Sequence, residues 1–218
     1  MSSPTALNLW KKGLGHVPEW VWEQTTLEAL VLADNDLSEV SERIGSLRTL
    51  RMLDLGHNQL AAVPESLGDL DSLTDFLYLH DNRLISLPSS MARLTRLRYL
   101  NMGENLFETL PDCVCRMAGL MELRTSGNQL ESLPDSLGNL SQLRELHLRN
   151  NRLKSLPESI GALRELRQLD LRGNPLLELP PSLAGLPRLE KLDLRWVTTL
   201  APPAWLADLE RRGALVYR

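Results

Sequence analysis

An asparagine recurs along this chain at a nearly constant interval. It occupies seven positions separated by 23 or 24 residues: Asn35, Asn58, Asn82, Asn105, Asn128, Asn151 and Asn174. A proline register runs beside it and is interrupted only by Ser41: Pro18, Pro64, Pro88, Pro111, Pro134, Pro157, Pro180 and Pro203. A fixed period of this length indicates one short structural unit stacked many times.

The residues around each asparagine repeat as well. The cleanest copy, residues 143–163, reads LRELHLRNNRLKSLPESIGAL, and 51 of the 218 residues are leucine. The alternation before the asparagine predicts a short strand with its leucines inward. The spacing of three to four after it predicts a 3₁₀ or loose helical return, with the proline in its first turn. One unit cannot bury these leucines alone, so stacked units should share a continuous core.

The asparagine itself is expected inside the bend of each unit. A buried bend leaves backbone N–H and C=O groups that need partners. A side-chain amide both donates and accepts hydrogen bonds, so it can satisfy backbone groups of its own turn and of the next turn.

The full pattern is L-x-x-L-x-L-x-x-N-x-L-x-x-L-P-x-x-L-G-x-L, and it resembles the leucine-rich repeat family over essentially the whole chain. The 23-residue variant is similar to the intracellular repeats of Ras-group proteins and of bacterial relatives. The resemblance implies an α/β solenoid, a right-handed horseshoe with a concave parallel sheet of about ten short strands. Its convex side should carry 3₁₀, helical and irregular segments. The resemblance also implies protein binding on the concave sheet and no catalysis by the repeats.

The repeats predict a single domain over residues 1–218. We divide it into a degenerate N-terminal capping repeat (1–26), seven regular repeats (27–188) and a degenerate C-terminal capping repeat (189–218). Trp20 and Trp205 are expected to help close the two ends, and residues 215–217 are expected to form a final strand. The step from Asn58 to Asn82 contains one extra residue, which is either a tolerated insertion or a bulge that redirects side chains.

Composition and motifs exclude several function classes. The net charge of −4 argues against a nucleic-acid partner. No secretory signal and no long apolar run is visible, which predicts a cytoplasmic protein without membrane insertion. Cys113 and Cys115 are too close for an easy disulfide, and the chain shows neither metal-ligand spacing nor a cofactor motif. Ser126, His147 and the neighbouring acidic residues share only the residue types of a Ser/His/acid catalytic set. An open solenoid face offers little of the enclosed geometry that catalysis needs, so we expect no enzyme.

The register of the predicted strands identifies the side chains that face outward on the concave sheet. They lie six, four and two residues before each asparagine position. An apolar zone of such residues contains Met52, Phe76, Tyr78, His80 and Tyr99. Exposed aromatic clusters are typical interface anchors, although stacking between neighbouring strands is the alternative.

A second, charged zone follows along the same face. Its members are Arg124, His147, Arg149, Asp170, Arg172, Asp193 and Arg195. Asp170 and Arg172, like Asp193 and Arg195, lie two residues apart on one strand face and can pair. The zone is therefore either a self-satisfied ion-pair network or a polar docking surface for a partner. Its mixed sign argues against a ladder for nucleic acid.

These observations predict a monomeric, cytoplasmic scaffold that binds another protein on its concave sheet, with a role in signalling. The Ras-group resemblance suggests a small GTPase as partner, by analogy of repeat spelling. Two alternatives stay open. The chain could be a bacterial effector, or the recognition module of a larger ligase or kinase assembly acting on host proteins. It could also be a structural element without a concave partner.

Overall fold

The computed structural model describes residues 5–218, so the first four residues of the predicted domain lie outside it. Ten short strands form one parallel sheet, with each strand beside its neighbour in the chain. They are β1 (Ala6–Asn8), β2 (Ala29–Val31), β3 (Met52–Asp54), β4 (Phe76–Tyr78), β5 (Tyr99–Asn101), β6 (Glu122–Arg124), β7 (Glu145–His147), β8 (Gln168–Asp170), β9 (Lys191–Asp193) and β10 (Leu215–Tyr217). This sheet confirms the predicted leucine-rich repeat horseshoe.

In the described residues the other side of the solenoid consists of 3₁₀ segments and one α-helix. The 3₁₀ segments span Glu19–Glu23, Glu42–Ser46, Glu65–Asp69, Ser89–Arg93, Val114–Arg116, Asp135–Asn139, Glu158–Ala162 and Pro181–Gly185, and the helix α1 spans Leu206–Arg211. The spacing predicted the repeated proline inside the first turn of each 3₁₀ segment, but the proline lies just before that turn. Pro64 precedes its segment with extended backbone, φ −69° and ψ 152°, and its carbonyl accepts from the Leu67 N–H. The proline thus sets the direction of entry and supplies the first acceptor.

Between the sheet and the 3₁₀ segments lies a core made almost entirely of leucine. The central residue of each internal strand is buried in register, as in the row Leu53, Leu77 and Leu100, all with 0% exposure. Because each leucine contacts the equivalent leucines of both neighbouring turns, the core is continuous along the solenoid. Cys113 and Cys115 belong to this core as free thiols, as predicted, and burial raises the pKa of Cys113 to about 11.

The asparagines form a ladder of hydrogen bonds inside the bend. Asn82 donates through Nδ2 to the carbonyls of Leu79 in its own turn (3.1 Å) and Leu55 in the preceding turn (3.0 Å). Its Oδ1 accepts from the Leu60 N–H, also in the preceding turn (2.9 Å). The expectation that the amide reaches the next turn was therefore wrong in direction, because its partners outside its own turn belong to the preceding turn.

The N-terminal end of the solenoid is closed differently from the expectation, and the C-terminal end as predicted. Trp22, with 2% exposure, fills the N-terminal end of the core, whereas Trp20 is 46% exposed. At the other end Trp205 packs partly buried against the core beside α1, as predicted, and β10 completes the sheet. In the described part of the chain no helix is long and apolar enough to cross a membrane.

The extra residue of the fourth turn lies between Leu73 and β4. The N–H groups of Asp75 and Phe76 share one acceptor, the carbonyl of Arg51 (3.0 and 3.4 Å). Phe76 nevertheless pairs with Met52 on one side and Tyr99 on the other. The insertion is absorbed before the strand and leaves the outward columns in register.

Candidate protein-binding face

The sheet brings the predicted apolar residues together on its concave surface. We call Met52, Phe76, Tyr78, His80 and Tyr99 the aromatic patch. The ring centroids of Tyr78 and Tyr99 are 5.1 Å apart, those of Phe76 and Tyr99 are 5.5 Å apart, and those of Phe76 and Tyr78 are 6.1 Å apart. Phe76 remains 44% exposed. The rings therefore contact one another and still present an apolar surface to solvent.

His80 lies at the margin of the aromatic patch, over a glycine. A Cβ added to Gly56 would lie only 2.4 Å from the His80 ring, so the imidazole sits against the backbone of the neighbouring turn. The ring also meets His57 edge-on, with centroids 4.7 Å apart. Burial, and the neighbouring His57, lower the pKa of His80. The patch therefore carries a neutral imidazole at neutral pH.

The charged zone contains the ion pairs that the spacing allowed. Arg172 contacts Asp170 through two hydrogen bonds of 2.8 and 2.5 Å, and Arg195 contacts Asp193 through two of 2.9 and 2.7 Å. Asp193 is only 1% exposed and also lies 3.6 Å from Arg172. Burial opposes its ionisation, but hydrogen bonds from Arg195 and the two positive charges outweigh burial and hold the pKa of Asp193 below its usual range.

Three arginines of this zone surround one exposed indole. The guanidinium carbons of Arg149, Arg172 and Arg195 lie 5.5, 5.9 and 6.0 Å from the ring centroid of Trp196. These distances fit cation–π contacts. Trp196 is 62% exposed, so the guanidinium and indole groups together form a surface rather than a core.

Polar side chains join the two zones in the middle of the sheet. Arg124 contacts Glu122 (2.5 Å) and lies 5.9 Å from the ring of Tyr99. His147 lies 3.3 Å from Glu145 and 3.8 Å from Glu122. Glu122, Glu145 and His147 each place one potential metal-ligating atom within 4.8 Å of the others. Because Arg124 already pairs with the Glu122 carboxylate, we interpret the group as part of the ion-pair network.

One column of the concave surface was not predicted from the sequence. The residue before each asparagine position adopts positive φ, and Asp34, Asp81 and Asn150 there tolerate this conformation. His57 (φ 52°) and Trp196 (φ 63°) occupy the same position and direct large rings to the rim of the sheet. The sequence does carry a signal: most of this column is Asp, Asn or Gly, and the two rings depart from it, as Lys11 and Glu104 also do.

Ten parallel strands that alternate with 3₁₀ segments define a solenoid repeat protein with one open, side-chain-lined sheet. A family model described as a leucine-rich repeat matches residues 25–84, and a second, described as a leucine-rich repeat region, matches residues 127–211. The chain therefore belongs to the leucine-rich repeat family, as its motif suggested. Proteins of this fold are generally protein–protein interaction modules, and the repeats are typically non-enzymatic.

Solved structures show the same fold at low sequence identity. A leucine-rich repeat protein of Leptospira interrogans is 24% identical, with a TM-score of 0.75 over 96% of this chain. The leucine-rich repeat domain of the type III effector XopL is 23% identical, with a TM-score of 0.80 over 98% of this chain and 75% of that one. The search of curated proteins gave no match.

A plant receptor gives a match of slightly higher identity. The ectodomain of the membrane receptor kinase GASSHO1/SCHENGEN3 from Arabidopsis thaliana, solved with CASPARIAN STRIP INTEGRITY FACTOR 2, is 29% identical. Its TM-score is 0.77 over 88% of this chain. This chain spans 64% of the Leptospira protein and 24% of the plant receptor chain.

Proposed function

We propose that this protein is a binding scaffold whose concave sheet captures another protein, with the aromatic patch as its apolar anchor. The observation that carries the proposal is the cluster of Phe76, Tyr78 and Tyr99. Their rings lie within 6.1 Å of one another and yet keep Phe76 nearly half exposed. Stacking for stability alone does not require rings on the solvent face of a sheet whose leucine core is complete.

The charged zone supplies orientation in this proposal. Asp170 and Asp193 hold Arg172 and Arg195 in fixed bidentate geometry, so their remaining N–H donors are preorganised. Within residues 5–218, the buried Nε of Arg149 has no hydrogen-bond partner. A partner that meets these groups gains specificity and association rate more than raw affinity. The network thus pairs its aspartates internally and keeps arginine donors available for a docking partner.

The finer parts of the proposal rest on the family resemblance. The 23-residue intracellular repeat type supports a cytoplasmic location and a role in signalling, with a small GTPase as the first partner to try. The alternative is a bacterial effector or the recognition module of a larger assembly. Partner capture from the native cell and from a host cell separates the two.

The experiment compares two matched sets of alanine variants. One set replaces Phe76, Tyr78 and Tyr99 on the concave sheet, and the other replaces Ile85 and Leu177, which are 67% and 60% exposed outside it. Affinity capture with mass spectrometry should identify a protein that the wild type and the second set retain and the first set loses. Purified partner should then bind the first set at least ~10-fold more weakly. Equal binding by both sets would remove the concave sheet as the site.

A further inference from the structure

Two departures from the repeat pattern shape a depression at the edge where the strands begin. In the fourth turn the extra residue places Thr74 and Asp75 before β4. Two turns later Gly119 stands where the neighbouring turns carry Arg96 and Gln142. The Gly119 N–H donates to the Thr95 carbonyl (2.9 Å), and a Cβ there would lie 2.6 Å from that oxygen. Glycine therefore permits close packing and leaves an indentation.

The indentation continues onto the concave sheet. Its volume is about 700 Å³, and its lining includes Arg98, Met121 and Arg144. A second depression of about 400 Å³ shares Arg98 and Met121 with it and reaches Phe76 and Tyr99 of the aromatic patch. We call these five residues the edge groove. The groove leads from the flank of the solenoid to the proposed apolar anchor.

The charges along the edge groove are unequally satisfied. Two carboxylates border the groove, and both are paired: Asp75 with Arg51 (3.1 Å) and Glu122 with Arg124 (2.5 Å). The hydrogen bond from Arg51, more than the charge of Arg98, keeps the pKa of Asp75 below its usual range.

The remaining cations of the groove are free. Arg98 and Arg144 are exposed, and among residues 5–218 neither has a carboxylate oxygen within 4.0 Å. Other arginines on this flank, Arg48, Arg167 and Arg188, do form ion pairs. A protein with net charge −4 thus keeps two unpaired guanidinium groups at one groove.

We propose that the edge groove binds a segment of a partner protein that pairs an acidic side chain with an aromatic or large apolar one. The carboxylate contacts Arg98 and Arg144, and the apolar side chain packs on Phe76 and Tyr99. Guanidinium groups bind carboxylates in bidentate geometry, and the exposed rings offer matching apolar surface. Arg98 directly precedes β5 and Arg144 directly precedes β7, and these strands are two strand spacings, about 10 Å, apart. A bound segment of about three extended residues spans this distance. This inference rests on the proposed function and specifies its partner chemistry.

The test begins with a display library of short random linear peptides selected on the wild-type protein. Enriched peptides should carry Asp or Glu within a few residues of Phe, Tyr, Trp or Leu. Synthetic copies are then titrated against Arg98→Glu, Arg144→Glu and the control Arg152→Glu. Arg152 is an exposed arginine on the far side of the asparagine ladder. The first two variants should lose at least ~10-fold in affinity, and the control should match the wild type.

Each other outcome overturns the proposal. Peptides without an acidic residue, no enriched peptide at all, or equal affinity for Arg98→Glu and the wild type would each do so. Binding of inorganic phosphate without binding of acidic peptides would reduce the groove to a small-anion site. Thermal unfolding of every variant checks that charge reversal leaves the fold intact, and Arg98→Lys should bind with intermediate affinity.

The proposed function can be tested separately from this inference. If Phe76→Ala abolishes capture of the natural partner while Arg98→Glu and Arg144→Glu do not, the concave site stands and the edge groove does not. If none of the three variants affects capture, both proposals fail.

Discussion

The two halves of the concave sheet share one backbone and differ in how their outward side chains are satisfied. Around β4 and β5 the aromatic patch contacts itself and leaves Phe76 44% exposed. Around β8 and β9 each aspartate is paired with an arginine two residues later, and Asp193 is 1% exposed. The first half offers apolar area and the second half offers oriented charge.

This difference shows which part of a repeat determines fold and which part determines function. Leu77 and Leu192 occupy equivalent core positions and are both fully buried. Tyr78 and Asp193 occupy equivalent outward positions and have opposite chemistry. Because side chains alternate across a strand, the core positions can stay constant while the outward columns vary freely. The repeat therefore determines the backbone and the leucine core, whereas the residues on the concave surface differ from turn to turn.

The largest expected effect tests whether both halves share one cooperative frame. Asn105 lies between them, 4% exposed, and donates to the carbonyls of Leu79, Met102 and Gly103. Asn105→Ala leaves these groups and the Leu84 N–H without partners, so we expect a loss of about 3 kcal/mol in the free energy of unfolding. Urea unfolding followed by tryptophan fluorescence measures it.

A matched control for this ladder variant lies on the strand just before. Asn101 points outward, and its Oδ1 accepts from the Gly103 N–H (3.1 Å), so Asn101→Ala should cost less than about 1 kcal/mol. Equal losses for the two variants would contradict a structural role specific to the ladder. Two separate unfolding transitions in the wild type would show that the halves fold independently.

The next effect concerns the charged half alone. Asp193→Asn removes the negative charge that Arg172 and Arg195 share in a nearly buried site, and we expect a loss of about 2 kcal/mol. Asp54 occupies the same column in the apolar half, where its Oδ1 accepts from the Gly56 N–H (2.9 Å). Asp54→Asn keeps that acceptor and should be near neutral. Chemical unfolding of both variants checks the contrast.

The same aspartate makes stability depend on pH in acid. Its folded pKa lies below the unfolded value, so its contribution is complete above the unfolded pKa of about 4 and is lost as pH falls through the folded pKa. The wild type should therefore lose its advantage over Asp193→Asn below about pH 4. A constant difference between the two proteins down to low pH would show that the ion pairs do not stabilise the fold.

A smaller effect tests how the aromatic patch is held. Gly56→Ala places a methyl group against the His80 ring, which must move. We expect a stability loss of about 1 kcal/mol, because the obstructing atoms belong to a side chain. The chemical shifts of the His80 ring, measured by NMR, should change strongly. Gly185→Ala meets nothing within 4 Å and should change neither quantity.

Much of the frame could be predicted from the sequence because the repeat fixes it. Periodicity identified ten strands, the buried leucines and the outward columns, down to the pairing of Asp170 with Arg172. Two errors concern every repeat, namely the position of the proline and the direction of the asparagine ladder, and the others concern single turns. Trp22 rather than Trp20 fills the N-terminal end of the core, because the 3₁₀ segment turns Trp22 inward. His57 and Trp196 were missed because their column depends on a left-handed backbone, and no strand alternation reveals it.

The smallest expected effect gives each half its own pH signature. Burial, and the nearby charge of His57, lower the pKa of His80, while Asp54 and Asp81 oppose the shift. A histidine with depressed folded pKa binds fewer protons folded than unfolded, so the fold loses stability as pH falls below the unfolded value of about 6.5. The loss should stay under about 1 kcal/mol, because solvent reaches part of the ring.

His80→Gln should remove this loss of stability near pH 6.5 without affecting the loss below about pH 4 that Asp193 causes. NMR titration of the ring and unfolding at several pH values measure both, and a pH-independent difference between wild type and His80→Gln from pH 5 to 7 would place the imidazole outside the patch.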